Sequence, residues 1–128
     1  MAKIEFDRDK PIILAITTIR NKGEVRRLRM ALDTGATYCM IPWKIADILD
    51  LQPELSKDKI DMTTASGVII VPQVTVDSIM VSNKSSNNVK ILVHDLPPKS
   101  YVDGLLGLNF LRNFELYINF KEGYFEIK

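Results

Sequence analysis

From Arg27 to Leu32 the chain alternates, with Leu28, Met30 and Leu32 on one side and Arg27, Arg29 and Ala31 on the other. A period of two is the repeat of a β-strand, and it places the apolar set on a buried face. The preceding run, Pro11 to Arg20 (PIILAITTIR), is rich in β-branched residues and reads as a buried strand. Asn21-Lys22-Gly23-Glu24 between them supplies turn chemistry, so the two runs make a hairpin whose second strand ends at Asp33. A fold for this chain has to be built on strands of this kind.

The rest of the chain mostly repeats the pattern. After Asp33-Thr34-Gly35-Ala36-Thr37, Ile45, Ile48 and Leu49 fall on one helical face, with Pro42 before them and Pro53 beyond. That spacing predicts a short helix over Pro42–Leu51. Ile60 to Thr64 and Val68 to Asp77 are extended arms around Ala65-Ser66-Gly67, a second hairpin with its tip near Gly67. Pro72 marks the second arm as an edge or bulged strand. Ser78–Ser82 reads as a further short strand, Ser82–Asn88 as a polar loop and Val89–His94 as a strand. Leu96–Lys99 is a stiff loop. Gly104 to Leu111 starts extended and turns helical after Gly107. Phe114–Phe120 and Tyr124–Lys128 are strands around a turn at Lys121-Glu122-Gly123. The whole, residues 1–128, reads as one mostly β domain with one or two short helices.

Composition narrows the function classes. The 128 residues carry 17 Lys+Arg and 16 Asp+Glu, a net charge of +1. A near-neutral total gives no global pull toward nucleic acid or an anionic membrane. The longest apolar stretch, Pro11–Ile19, falls short of the roughly 18–20 residues a membrane span needs. The opening MAKIEFDRDK mixes both charge signs and does not read as a signal peptide. One cysteine allows no intrachain disulfide, and one Cys with one His argues against most structural zinc sites. The expectation is a cytoplasmic protein with no metal and no cofactor, and with neither nucleic acid nor membrane as a partner.

The chemistry concentrates at Asp33-Thr34-Gly35-Ala36. An alternating strand delivers the carboxylate, and a glycine permits a tight turn behind it. Far downstream an apolar Leu105-Leu106-Gly107 recurs. A turn aspartate capping its own loop is the plainer reading of Asp33. Gly67 is equally an ordinary hairpin turn.

Taken together these segments resemble the single-domain retropepsin-like aspartic proteases, found in retroviruses and as cellular homologues. Three marks carry the resemblance, in matching order, over about Ile13 to Ile127. They are the strand with Asp33-Thr34-Gly35-Ala36-Thr37, the glycine-bearing hairpin Thr64-Ala65-Ser66-Gly67 where the family has its flap, and Gly104-Leu105-Leu106-Gly107-Leu108-Asn109-Phe110-Leu111. The resemblance implies a closed β-barrel of the acid-protease type and an aspartic endopeptidase acting on peptide or protein substrates.

That chemistry uses two carboxylates sharing one proton, because like charges about 3 Å apart do not both ionise easily. This chain has a single D-T-G and no D-S-G. The second aspartate must come from another copy, so the resemblance implies a homodimer with Asp33 of each copy at the two-fold axis. It also implies supporting roles. Thr34 would hydrogen-bond beneath the dyad, and Gly35 and Ala36 would let backbone approach closely. Leu105-Leu106-Gly107 would pack behind the catalytic loop. Ala65, Ser66 and Gly67 would form the flap over substrate, and Met1–Glu5 with Tyr124–Lys128 would supply strands to a dimer sheet. Apolar residues flanking the scissile bond are the expected preference. The alternative is a non-catalytic peptide-binding module of the same fold.

Other reactive residues have bland readings. Cys39 reads as a buried, inert thiol and His94 as a strand-end surface residue. Trp43 reads as an anchor between helix and core. Arg20, Lys22, Arg26, Arg27 and Arg29 read as a solvated strand face; a nucleic-acid contact on that hairpin is the lesser option.

Overall fold

In the computed structural model, which describes residues 3–128, the first hairpin forms as its turn chemistry dictates. A two-residue strand β1 (Ile4–Glu5) precedes it. β2 (Leu14–Asn21) and β3 (Glu24–Leu32) pair antiparallel, with Asn21 opposite Glu24. The two loop residues have positive φ, 49° at Lys22 and 83° at Gly23. This is the type I′ arrangement, whose twist matches that of the flanking strands. Leu28 and Met30 are buried while Arg26, Arg27 and Arg29 stay exposed, as the alternation requires. β2 begins at Leu14 rather than Pro11, because its partner strand runs out at Leu32.

β4 (Cys39–Ile41) leads into α1 (Trp43–Ile48), with Pro42 as its extended N-cap. The helix is shorter than the predicted Pro42–Leu51. Asp50 and Gln52 adopt left-handed φ of 55° and 49°, which no continuing helix allows. Ala46 and Leu49 are buried, and Trp43 and Ile45 pack against the core, as an anchoring role requires. A single 3₁₀ turn (Pro53–Leu55) follows.

β5 (Lys59–Thr64) and β6 (Gly67–Val81) form the second hairpin, with Thr64 opposite Gly67 and the turn at Ala65-Ser66. Here the sequence reading needs two corrections. β6 runs unbroken for 15 residues, so Ser78–Ser82 is not a separate strand. The polar Asp77 hid this. Its side chain faces out, where its carboxylate accepts the Lys22 N–H at 2.9 Å. Nor is Ser82–Asn88 a loop. Val81 pairs with Lys84 across a turn at Ser82-Asn83, and β7 (Lys84–Val93) has already begun. Lys84 to Asn88 carry no apolar residue because that end of the strand is exposed or half-buried; backbone pairing to β6 holds it, with one side-chain bond from Asn113 Nδ2 to Ser86 Oγ at 3.2 Å.

β8 (Gly104–Leu106) and α2 (Leu108–Leu111) form as predicted, and β9 (Leu116–Asn119) and β10 (Tyr124–Ile127) close the chain. Six strands run β2-β3-β8-β4-β7-β6 and close through β2–β6 pairing into a barrel. β3 is parallel to β8, and β4 to β7. β5 hangs on the outer edge of β6. A separate three-stranded sheet, β1-β10-β9, joins the chain ends, with Ile4 opposite Phe125. Within the chain, then, the terminal strands pair with each other; Met1 and Ala2 lie outside the described residues.

The barrel core holds Ile19, Met30, Ile41, Ile79, Ile91, Leu106 and Phe110, with Phe125 and Ile127 of the small sheet packed on the same cluster. Each such side chain is worth about 1.5–3 kcal/mol on burial. A second, smaller cluster of Met40, Val71 and Leu92 lies under the β5–β6 hairpin, with Tyr38, Ile60, Met62 and Leu105 against it. No helix among the described residues is long and apolar enough to cross a membrane.

Candidate active site

Asp33 is the first residue past β3, half-buried at the mouth of the barrel. Its backbone is pinned from both sides. The Asp33 N–H donates to the Leu106 carbonyl at 3.0 Å, and the Asp33 carbonyl accepts the Ala36 N–H at 3.2 Å. Its carboxylate accepts the Gly35 N–H at 2.9 Å through Oδ1. The same oxygen lies 3.2 Å from where a Cβ on Gly35 would sit. Glycine here lets the chain fold tightly around the acid.

The loop after Asp33 is held by the α2 segment. Leu108 N–H donates to the Ala36 carbonyl at 2.8 Å and Asn109 N–H to the Thr37 carbonyl at 3.0 Å. Asn109 Oδ1 accepts the Cys39 N–H at 2.9 Å. Gly107 makes this fit possible. A Cβ there would lie 2.6 Å from the Tyr38 carbonyl group and 2.8 Å from the Ala36 oxygen, all backbone. The Gly107 N–H donates to Cys39 Sγ at 3.3 Å. Cys39 is fully buried, and burial pushes its thiol pKa up from 9.0 to about 11. It is a packing residue, as its apolar neighbours in sequence suggested. His94 is half-buried just past β7, with its N–H on the Ile41 carbonyl.

A groove of about 400 Å³ opens beside Asp33. Gly35 and Ala36 line it with the aspartate, and β5 of the second hairpin forms the opposite wall through Ile60, Asp61, Met62 and Thr63. Thr37, Tyr38, Met40, Leu92 and Leu105 complete it. The structure thus brings Asp33, Gly35 and Ala36 together in one groove. Thr34 is exposed and is not part of that lining. Ala65, Ser66 and Gly67 are exposed at the hairpin tip, beyond the groove of a single chain. Tyr38, Met40, Ile60, Met62 and Leu92 were not singled out from the sequence. Ile60 and Met62 alternate with polar residues along β5, a period-two signal for a buried face, but nothing local says which face that is.

The sequence matches the family described as "gag-polyprotein putative aspartyl protease" over residues 19–113. That match runs from β2 to the end of α2 and takes in Asp33 and the whole groove. The chain belongs to this aspartyl protease family. The fold agrees. A crystal structure of a retropepsin-like aspartic protease from Rickettsia conorii superposes with a TM-score of 0.70 at 17% identity, covering 98% of this chain and 88% of that one. No curated protein matches. As a retropepsin-like chain it has the closed barrel and the short helices that the three sequence marks implied.

Proposed function

We propose that this chain is an aspartic endopeptidase active as a homodimer, with Asp33 of each copy forming the dyad. The observation that carries the proposal is the setting of Asp33. A single half-exposed carboxylate, in a loop braced by Leu106, Leu108 and Asn109, sits at the end of a groove with apolar walls. Peptide hydrolysis by this chemistry takes one ionised carboxylate as general base toward water and one protonated carboxyl to polarise the scissile carbonyl. Each chain brings one Asp of the D-T-G kind, so two chains complete the set. Thr34, exposed beside Asp33 in the single chain, is free to bond across the two-fold axis. The β5–β6 hairpin would pair with substrate backbone through its tip, Ala65-Ser66-Gly67, and exclude water. Water is the nucleophile and no cofactor enters the scheme. The substrate is an extended peptide with apolar residues flanking the scissile bond, matching Met40, Leu92 and Leu105 in the floor.

The test is cleavage of a random peptide library by the wild type and by Asp33→Asn across about pH 3–7, a range that brackets a shared-proton dyad. Asp33-dependent cleavage that falls off on dilution supports the reading. A folded dimer that cleaves nothing at any pH overturns it and leaves a peptide-binding module.

A further inference from the structure

The outer face of the β2–β3 hairpin and its neighbour β6 gathers positive charge without the acid that balances it elsewhere. Arg27 on β3 stands opposite Thr18 on β2, and Thr18 opposite Met80 on β6. In the adjoining rows Ile16 stands opposite Arg29, and Arg20 stands between Val25 on one side and Ser78 on the other. Residues directly opposite across paired strands project from the same face of the sheet. These eight residues therefore share one face, and none of them is buried. Three are arginines and none is a carboxylate, in a chain whose 17 Lys+Arg and 16 Asp+Glu otherwise nearly cancel.

The arginines crowd one another. Arg27 and Arg29 are two apart on one strand, about 7 Å, and Arg20 lies diagonal to Arg27, about 7–8 Å away. Like charges at such spacings repel in the free chain, and an anion set among them relieves the repulsion. Among the described residues the ion pairs are Lys22–Asp50 and Arg29–Asp103, so Arg20 and Arg27 belong to neither. Apolar surface is interleaved with the charge: Ile16 is 41% exposed and Val25 39%. A cavity of about 380 Å³ opens beside Thr18, between Ile4, Ile16 and Met80, with Arg27 the one charged residue in its lining.

We propose that this face docks an extended acidic segment of a partner protein, with its carboxylates on Arg20, Arg27 and Arg29 and an apolar side chain in the cavity beside Ile16. Guanidinium forks match carboxylates with two N–H bonds at a time. An extended segment turns every second side chain to one face, so acids two apart match the spacing of Arg27 and Arg29. The chain's own Asp103 makes one contact of this kind. Its carboxylate lies 3.8 Å from the Arg29 guanidinium and accepts the Arg29 N–H at 2.8 Å. A nucleic acid fits the same charge less well, because none of the eight residues is aromatic and no ring is offered for bases to stack on. None of the eight lines the groove beside Asp33, so the proposal stands apart from the endopeptidase reading.

The experiment is fluorescence anisotropy with a labelled peptide of sequence GSLSESESVSG, which when extended sets its Leu, both Glu and its Val on one face. Its Kd is expected to be about tenfold lower than that of the same peptide with Gln in place of each Glu, the scale of one charge-assisted hydrogen bond. The difference should narrow as salt is raised. Arg20→Gln combined with Arg27→Gln removes the preference. Lys57→Gln combined with Lys121→Gln takes the same charge from elsewhere on the chain and leaves the preference in place. Circular dichroism and thermal unfolding first establish that both double variants keep the fold. Equal affinity for the Glu and Gln peptides, no binding of either, or an equal loss in the two double variants overturns the proposal. A single-stranded oligothymidylate that binds the wild type as tightly as the Glu peptide overturns the choice of partner.

Discussion

The backbone N–H of Asp33 donates to the carbonyl of Leu106 at 3.0 Å. This bond extends the parallel β3–β8 pairing by one step and joins the two segments of the sequence that carry the family's marks. The acid is thus positioned by main chain rather than by neighbouring side chains. Side-chain substitutions nearby should therefore perturb it less than changes that move backbone.

Two glycines separate those effects. Gly107→Ala forces a Cβ to within 2.6 Å of Tyr38 backbone, and backbone has no easy way to give. Overpacking of this kind costs about 1–3 kcal/mol. Thermal unfolding should register that loss, together with loss of activity. Gly35→Ala meets only the Asp33 carboxylate at 3.2 Å. We expect little change in Tm and a clear fall in kcat.

Asp33→Asn keeps an oxygen able to accept the Gly35 N–H. Stability should stay within about 1 kcal/mol of wild type, since that bond is retained. Turnover should fall by about a thousandfold, within the range for loss of a general base. Calorimetry alongside the cleavage assay checks both halves; a large drop in Tm would mean the carboxylate is structural.

The Cys39 thiol is raised from 9.0 to about 11 by burial. A raised pKa means the folded state holds its proton more tightly than the unfolded state. The stabilisation is fully present below about pH 9 and is lost as pH rises toward about 11, in total about 2–3 kcal/mol. Urea unfolding at pH 8 and pH 10.5 should show the decline in wild type and a smaller one in Cys39→Ala. The thiol should also resist alkylation at pH 8 until the protein is unfolded.

Arg29 and Asp103 look like a salt bridge, but the ionic part is weak. Their charged atoms are 3.8 Å apart and the side chains are 60% and 38% exposed. The Asp103 carboxylate also accepts the Arg29 N–H at 2.8 Å, and the Asp103 N–H donates to the Arg29 carbonyl at 2.7 Å. Arg29→Ala should cost less than about 0.5 kcal/mol. Asp103→Ala removes the acceptor of the Arg29 N–H, a hydrogen bond worth about 1 kcal/mol. Equal losses in chemical denaturation would contradict this ranking.

Much of this was legible in the sequence, for physical reasons. The β2–β3 hairpin is local, its strands are amphipathic and its turn residues tolerate positive φ, so period and turn chemistry agreed. Gly107 could be placed because a glycine between an apolar strand and a short helix has few other uses. What failed was polar strand. Lys84–Asn88 has no apolar face to advertise it, and only the neighbour β6 makes it extended. Asp77 broke the apparent run because its side chain serves a distant turn. In the site, Asp33, Gly35 and Ala36 were readable from one motif. Tyr38, Met40 and Leu92 were not, since they meet only through cross-strand register, which is set by closure of the barrel. Thr34 and the tip residues Ala65, Ser66 and Gly67 lie outside the groove of one chain.

β6 belongs to two structures at once. From Gln73 to Val81 it is a stave of the barrel, paired with β7 and near its end with β2 as well. From Gly67 to Pro72 its one strand partner is β5. A single unbroken backbone is therefore clamped at one end and cantilevered at the other, with Pro72-Gln73 at the edge of the clamp. Hydrogen exchange should divide there. Amides of Val68 to Val71 should trade their protons orders of magnitude faster than those of Val76 to Val81, giving one strand two clocks.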